Sequence, residues 1–338
     1  MASEAGDPFT YMEAMESPQQ DDWIRAMKEE RTSILLNNTF SALTSQEARQ
    51  LQVKPIGSKW GYKTRHNPDG STQYKARVLI KGYEQTDFGE TYALVGKLTM
   101  FQYHISLIGR YGWTMDHLDV VTTFLNHEID NDEIYITLPE GSQEGLNALM
   151  IIIRLSKALY GLKQAPRLWH DNINAFLLTL GFTQTLADLN LCLCSDSILI
   201  LLYVDYISMS YPDAATKAAI EVKAKLPEKY KIMNLGPAHQ GLGVEIHCNS
   251  TGVSLSQKAY FTMVLRRFNM EHTHGMSTPM HTNARLDLAE DRGEKELEDI
   301  INYQAAVGLL MYAVHATRPD MMQLLLVLVT IRGHSPAK

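Results

Sequence analysis

The sequence contains little cysteine and no long apolar segment. Cys192, Cys194 and Cys248 are the three cysteines among 338 residues, which is too few for a disulfide framework and predicts a reducing environment. The most apolar stretches, residues 198–204 and 322–329, are much shorter than the ~20 residues that cross a bilayer. The acidic N-terminus lacks the apolar core of a secretory signal. We therefore expect an intracellular protein, in the cytoplasm or nucleus, with no membrane partner.

An overall excess of positive charge is also lacking. The formal net charge is -7, which argues against a protein that coats nucleic acid indiscriminately. Hydrophobic residues make up 45% of the chain and charged residues 20%, as in globular rather than disordered proteins. Any contact with nucleic acid must therefore come from a local basic surface.

Residues 59–83, KWGYKTRHNPDGSTQYKARVLIKGY, predict such a surface. Their centre at 67–70 is Asn-Pro-Asp-Gly, which is strong turn chemistry and indicates a β-hairpin. Because side chains alternate along a strand, apolar residues share one face and basic residues the other. Six basic residues stand against one acid, which gives a local net charge of +5; they are Lys59, Lys63, Arg65, Lys75, Arg77 and Lys81, and the acid is Asp69. The cations could protect an edge strand from aggregation, but their segregation on both strands favours phosphate binding.

A helix with clear end signals is predicted over residues 159–182, LYGLKQAPRLWHDNINAFLLTLGF. Pro166 suits its first turn, and Gly181 ends it. Lys163, Gln164 and Arg167 cluster at its start, where backbone N–H groups favour an anion.

Other predicted elements follow from periodicity and turn residues. They are a loose leader over 1–20, helices over 21–38 and 97–110, a strand, turn and helix over 113–126, a helix from 213 stopped by Pro227, a hairpin turning at 249–252, and a linker over 282–300. In LLYVDYISM (201–209), an apolar strand breaks at Asp205 and resumes as a second strand.

These motifs together resemble the reverse transcriptase of Ty1/copia-type long-terminal-repeat retrotransposons. The landmarks occur in order from DDWIRAMKEE to HATRPD: YKARVLIKGYEQ, DVVTTFLN, LYGLKQAPRLW, LLYVDY, NLGPAHQGLGVEI, LSQKAY and TRPD. The resemblance implies an α+β right-hand polymerase, with an antiparallel palm sheet packed on helices. It implies reverse transcriptase over 21–270, with a fingers hairpin at 59–83, a palm at about 95–212 and a thumb side at about 213–270. Residues 271–338 would be a linker and connection segment, and a ribonuclease H domain is expected to be absent.

The resemblance also implies site residues. Asp119 and Asp205 match the family's catalytic aspartates, which would hold two Mg²⁺ ions, with Mn²⁺ as an alternative. Phe124 matches the aromatic residue that crowds the ribose 2′ position. Gln164 and the neighbouring Lys163 match the nucleotide-contacting helix start, and Lys75 and Arg77 match residues that hold the triphosphate. Taken alone, Phe124 could be a core residue and Gln164 a helix cap. The implied partners are an RNA or DNA template-primer, deoxynucleotides and other retroelement proteins.

Several positions depart from the family pattern. Tyr206 stands where a second hairpin aspartate is usual, and its phenol stays protonated near pH 7. The other departures are Leu94, Gln102, Thr123 and Gly241. If the missing carboxylate costs ~3–4 kcal/mol of transition-state stabilisation, the rate falls by ~10²–10³. We therefore expect a severely impaired polymerase, and the alternative is an inactive remnant that at most binds nucleic acid.

Overall fold

The computed structural model describes residues 7–43, 45–50, 54–66, 71–86, 91, 96–126, 128–129, 133–142, 152–195, 197–249, 252–275 and 296–332. The helices are α1 Tyr11–Glu16, α2 Gln20–Leu36, α3 Ser45–Gln50, α4 Leu98–Tyr111, α5 Ala165–Thr179, α6 Thr216–Lys229, α7 Lys258–Arg267, α8 Glu296–Ala316 and α9 Met322–Arg332. The strands are β1 Phe40–Leu43, β2 Ser58–His66, β3 Thr72–Ile80, β4 Thr114–Val120, β5 Tyr135–Thr137, β6 Ile152–Leu155, β7 Thr183–Gln184, β8 Leu191–Leu193, β9 Leu199–Tyr203, β10 Tyr206–Tyr211, β11 Ile232–Pro237, β12 Gln240–Gly241, β13 Val244–Asn249 and β14 Gly252–Ser256. The predicted turn at 67–70 and Leu94 lie outside the described residues.

Contacts divide the chain into two units. The first comprises residues 1–96 and 117–235, and the second comprises residues 97–116 and 236–338. Mixed helices and sheets occur in both, as the predicted α+β class requires.

The centre of the first unit is a six-stranded sheet with the order β11-β4-β10-β9-β8-β7. Strands β9 and β10 form an antiparallel hairpin in which Tyr203 pairs with Tyr206. Every residue of β10 is buried, which is typical of a strand covered on both faces. The apolar stripe of α5, which includes Trp169, Ile173 and Leu177, joins the same core.

The predicted basic hairpin forms from β2 and β3. Its apolar face is buried, as predicted, and its members are Trp60, Tyr62, Ala76, Val78 and Ile80. Helix α2 packs on this hairpin; the Trp23 ring meets the Tyr62 ring edge-on at 5.2 Å and the Tyr74 ring at 4.8 Å. The opposite face is therefore the one on which the basic side chains project.

A smaller sheet with the order β1-β6-β5 completes the strands of this unit. Ile56 joins it through a bridge to Ile136, just before β2 begins. The chain thus passes directly from this sheet into the basic hairpin.

The second unit combines a three-stranded sheet with helices α4, α7, α8 and α9. Strands β12, β13 and β14 are adjacent in that order, and Asn249 pairs with Gly252, which confirms the predicted hairpin turn. Helix α4 packs on β14. Helices α8 and α9 form a small core, to which α8 contributes Val307 and Val314 and α9 contributes Leu325. The hydroxyl of Tyr312 on α8 donates to the carbonyl oxygen of Leu242, which lies in the GLGVEI motif.

Three sequence predictions require correction. Part of the expected loose leader is helix α1, whose Ala14 is fully buried in the core. Helix α6 continues to Lys229 instead of stopping at Pro227. A proline in the last turn removes a single backbone bond, and the helix end is anchored because the buried Tyr230 hydroxyl donates to Asn172 Oδ1 at 2.6 Å.

The predicted linker over 282–300 is wrong for residues 296–300, which begin α8. Glutamate and leucine, which occupy positions 296–298, are residue types with good helix propensity. Residues 282–295 lie outside the described residues.

Across the described ranges, we find no helix long and apolar enough to span a membrane.

Candidate active site

Asp119 and Asp205 are brought together by two neighbouring strands of the large sheet. Asp119 lies near the end of β4, Asp205 immediately precedes β10, and these strands are adjacent. The Val120 N–H donates to the Asp205 carbonyl oxygen at 2.9 Å, which fixes the two ends side by side. Both aspartates line one cavity of about 310 Å³. Although 85 residues separate the two aspartates in the sequence, the adjacency of β4 and β10 in the sheet brings them together.

The turn that carries Asp205 is held in an unfavourable backbone conformation. With Tyr203 paired to Tyr206, only Val204 and Asp205 form the turn. Val204 has a φ of 57°, a left-handed value that costs a β-branched residue about 1–3 kcal/mol. The Trp169 indole N–H donates to the Val204 carbonyl oxygen at 2.8 Å. Helix α5 therefore holds the tip in place.

The chain leaves β4 through a second left-handed residue. Thr122 has a φ of 53°, and the turn leads into a short 3₁₀ helix, Thr123–Asn126. The Thr123 hydroxyl, at a position where the family resemblance leads us to expect alanine, donates to the Val120 carbonyl oxygen at 3.0 Å and is buried. Its extra polar group is thus satisfied locally.

The basic hairpin supplies cations to the same cavity. Lys75 and Arg77 on β3 line it together with the two aspartates. Lys63 pairs with Lys75 in the hairpin, so positive charge is concentrated there. The Arg77 guanidinium carbon lies 4.5 Å from the centre of the Tyr160 ring, a cation–π distance.

The electrostatics of the cavity follow from this juxtaposition of charges. Burial raises the pKa of Asp119 above its ordinary value and the nearby Asp205 raises it further, while Lys75, Arg65 and Arg77 lower it. The pKa of Lys75 is lowered by burial and by the other two cations, and Asp119 opposes this effect. The two aspartates of the site therefore lie close to the positive charges of Lys75, Arg65 and Arg77.

The junction between the hairpin and α5 requires a glycine. The Ile80 N–H donates to the Tyr160 carbonyl oxygen at 2.8 Å. Gly161 has a φ of 96°, and a Cβ there would lie 2.1 Å from the Ile80 carbonyl oxygen. No side chain fits so close an approach. The LYGLK motif therefore docks the hairpin beside Tyr160.

Two residues of the cavity wall were missed at the sequence level. Burial raises the pKa of Tyr160 above its usual value, and Arg77 opposes this rise. The carboxylates of Asp205, Glu30 and Asp119 raise the pKa further. Glu30 on α2 also lines the cavity. The LYGLK motif could have indicated Tyr160, but Glu30 resembles an ordinary charged residue on a helix surface.

Phe124, Lys163 and Gln164 occupy a neighbouring layer rather than the cavity lining. Phe124 is buried in the core, and its ring meets the Tyr160 ring edge-on at 4.8 Å. Gln164 precedes α5 in the N-cap position without a side-chain capping bond; its Oε1 accepts from Gln85 Nε2 at 2.8 Å. Lys163 Nζ donates to the Gln85 carbonyl oxygen at 3.0 Å.

Tyr206 follows Asp205 in the sequence and packs against His117. It is 8% exposed, and its ring centroid lies 4.2 Å from that of His117. Burial raises the pKa of the phenol above its ordinary value, so it remains neutral at physiological pH. Burial lowers the pKa of His117, whereas Asp205 raises it. Position 206 therefore holds a buried neutral ring instead of a carboxylate.

The donor set for a cation is therefore small. Within the described ranges, no group of three or more His, Cys, Asp or Glu side chains could hold a metal ion. Asp119 and Asp205 fit a hard cation nonetheless, because Mg²⁺ commonly binds one or two carboxylates and completes its shell with water and substrate phosphates.

Most of this chain is similar in sequence to known proteins. Residues 43–282 match the family described as reverse transcriptase (RNA-dependent DNA polymerase). The chain is 32% identical to the retrovirus-related Pol polyprotein from transposon TNT 1-94 of Nicotiana tabacum, over 95% of this chain and 24% of that protein. It is 32% identical to the corresponding polyprotein from transposon RE2 of Arabidopsis thaliana, over 93% of this chain and 21% of that protein. A transposon Ty5-1 protein of Saccharomyces cerevisiae is 32% identical, over 60% of this chain and 65% of that protein.

The chain thus spans about a quarter or less of the two plant polyproteins. The family match covers most of the chain, and the relatives are transposon proteins. This chain belongs to the reverse transcriptase family, in its Ty1/copia retrotransposon branch.

Proposed function

We propose that the chain is an RNA-directed DNA polymerase domain whose chemistry is impaired at position 206. The observation that carries this proposal is the cavity that Asp119 and Asp205 share with Lys75 and Arg77. Carboxylates beside cations suit a reaction in which a phosphate group must be held and neutralised. The substrates would be deoxynucleotides and a template-primer.

The domain assignment belongs to the same proposal. The hairpin at 59–83 would be the fingers, residues of about 95–212 the palm and about 213–270 the thumb side, followed by a connection segment at 271–338. Three features support these placements: the hairpin of β2 and β3, the adjacent strands β4 and β10 of the large sheet, and the sheet of β12–β14.

Each cavity residue has a defined task in this proposal. Lys75 and Arg77 would bind the triphosphate through charge-assisted bonds. Asp119 and Asp205 would hold divalent cations, Mg²⁺ or Mn²⁺, which when bound supply neutralisation of phosphate charge and activation of the primer hydroxyl. The primer 3′ oxygen would form a bond to the α-phosphorus as the bond to pyrophosphate breaks and the hydroxyl proton departs.

The neighbouring layer would shape the nucleotide pocket. Phe124 would limit space at the ribose 2′ position through Tyr160, the ring on which it packs. Gln164 and Lys163, joined to each other through Gln85, would contact the incoming nucleotide.

A second function, an inactive domain that only binds nucleic acid, is favoured by Tyr206. Its buried neutral phenol cannot act as an anionic ligand. The two proposals differ in whether any primer is extended while the template is bound.

Primer extension on an RNA template tests the first proposal. We expect slow extension that Asp119→Asn abolishes, because that change removes one of two carboxylates. Fast extension would contradict the impairment, and extension that survives Asp119→Asn would contradict the assigned site. No extension together with retained template binding would establish the second proposal.

Nucleotide binding provides a separate test of the basic face. Replacing Lys75 and Arg77 together by alanine should weaken deoxynucleotide affinity by about a hundredfold or more, since each loses a charge-assisted bond of about 1.5–3 kcal/mol. Lys225→Ala, an exposed change on α6, is the matched control. Equal affinities for the double variant and the control would indicate that the basic face only protects an edge strand from aggregation.

A further inference from the structure

Helix α2 forms one wall of the cavity, although it precedes the matched residues 43–282. Ala26, Glu30 and Ser33 on this helix line the cavity. Trp23 fixes the helix to β3 by its edge-on contact with Tyr74. The helix is therefore positioned against the strand that carries the cavity cations.

Two hydrogen bonds occupy the outer edge of β3. In an antiparallel pair, alternate N–H groups of a strand point away from its partner. The Val78 N–H donates to Glu30 Oε1 at 3.3 Å, and the Ile80 N–H donates to the Tyr160 carbonyl oxygen at 2.8 Å. These two acceptors fasten the strand at consecutive outward positions.

Arg77 immediately precedes Val78, whose N–H donates to Glu30. Its guanidinium is placed over the Tyr160 ring, while the backbone of the next residue is held by Glu30. Glu30 is half-buried; burial raises its pKa, and the Val78 N–H and Arg77 oppose this rise. An alanine at position 30 would leave the Val78 N–H without this acceptor and free the strand to shift.

We propose that Glu30 is a positioning residue which, through the Val78 N–H, sets the place of Arg77 in the cavity and so the affinity for a nucleotide triphosphate. This inference rests on the proposed function, which identifies the triphosphate as ligand. The negative charge of Glu30 by itself opposes anion binding. Positioning and charge therefore act in opposite directions, and variants can separate them.

The experiment titrates the full chain with inorganic tripolyphosphate and with dTTP by calorimetry. Glu30→Ala should weaken tripolyphosphate binding by about tenfold despite the lost negative charge, which corresponds to one hydrogen bond to a charged group. Glu30→Gln retains an oxygen acceptor and should bind at least as tightly as the wild type. Glu228→Ala, an exposed change on α6, should have no effect.

A double-variant cycle tests whether Glu30 acts through Arg77. In an Arg77→Ala background, the effect of Glu30→Ala should disappear. An equal effect in both backgrounds, or tighter binding by Glu30→Ala, would overturn the inference. If Arg77→Ala itself leaves binding unchanged, or the wild type does not bind tripolyphosphate, the proposed nucleotide site fails and the inference with it.

A measurement without ligand completes the test. Hydrogen exchange at the Val78 amide should be faster in Glu30→Ala and remain protected in Glu30→Gln. Unchanged protection in Glu30→Ala overturns the inference whatever the ligand. If Glu30→Ala does not fold, a tenfold loss of binding in Glu30→Gln overturns it instead.

Discussion

Replacing Tyr206 by aspartate tests the proposed cause of impairment. The change removes a ring that is 8% exposed and lies against His117, and it introduces a carboxylate next to Asp205. Tyr206→Asn is the matched control, because it removes the same ring and has nearly the size of aspartate without its charge.

In the absence of divalent cations, both variants should be less stable than the wild type. Loss of a large buried aromatic side chain costs about 3–5 kcal/mol. The aspartate variant should lose somewhat more, because the new carboxylate adds to the negative charges of Asp119 and Asp205. Burial and the nearby Asp205 already raise the pKa of Asp119. Chemical unfolding in a chelator measures both free energies of unfolding.

Magnesium should then separate the two variants. A ligand at a hundred times its dissociation constant stabilises the folded state by about 2.7 kcal/mol. We expect a rise of this order for Tyr206→Asp and a much smaller one for Tyr206→Asn. Primer extension should increase by ~10²–10³ in the aspartate variant alone, the equivalent of ~3–4 kcal/mol. Equal behaviour of the two variants in magnesium would refute the reasoning.

The same variant should respond to pH through His117. Protonated imidazole would pair with the introduced carboxylate, so the gain in extension should be largest above the pH at which His117 loses its proton. Burial lowers the pKa of His117 below the ordinary imidazole value of about 6.5, although Asp205 opposes this shift. Adding His117→Gln to Tyr206→Asp should flatten this dependence. An unchanged pH profile would show that the imidazole does not compete for the carboxylate.

Two further predictions concern stability. Gly161→Ala should destabilise the fold more than Gly181→Ala. Both glycines have a left-handed φ, which costs alanine about 1–2 kcal/mol, but only at Gly161 would a Cβ meet the Ile80 carbonyl oxygen, which adds about 1–3 kcal/mol. Equal free energies of unfolding for the two variants would contradict the close approach. Burial lowers the pKa of His104 to about 4, so between about pH 4 and 6.5 the unfolded chain binds a proton that the folded chain does not. The free energy of unfolding should therefore rise with pH across this range by up to about 3 kcal/mol, and His104→Gln should reduce the rise. An identical pH dependence in the variant would refute this prediction.

Local patterns predicted many of the elements well. The turn chemistry and period-two alternation of residues 59–83 indicated the hairpin and its buried face. The end signals Pro166 and Gly181 lie within two residues of the ends of α5, although the helix predicted over 159–182 began six residues too early. One failure occurred where a distant contact acts: Pro227 lies inside α6, whose end is anchored by the bond of Tyr230 to Asn172. The linker prediction failed at 296–300, where charged residues with good helix propensity continue into an apolar helix.

The sequence alone determined the family, the positions of Asp119 and Asp205, and the charge of the hairpin, because residue types, spacing and strand periodicity are local properties. It also determined that position 206 holds a phenol. Only the tertiary structure decided that the aspartates share a cavity with Lys75 and Arg77, and that Glu30 reaches it. Sheet neighbours and helix packing join residues far apart in the chain, and no local pattern encodes which of them will meet.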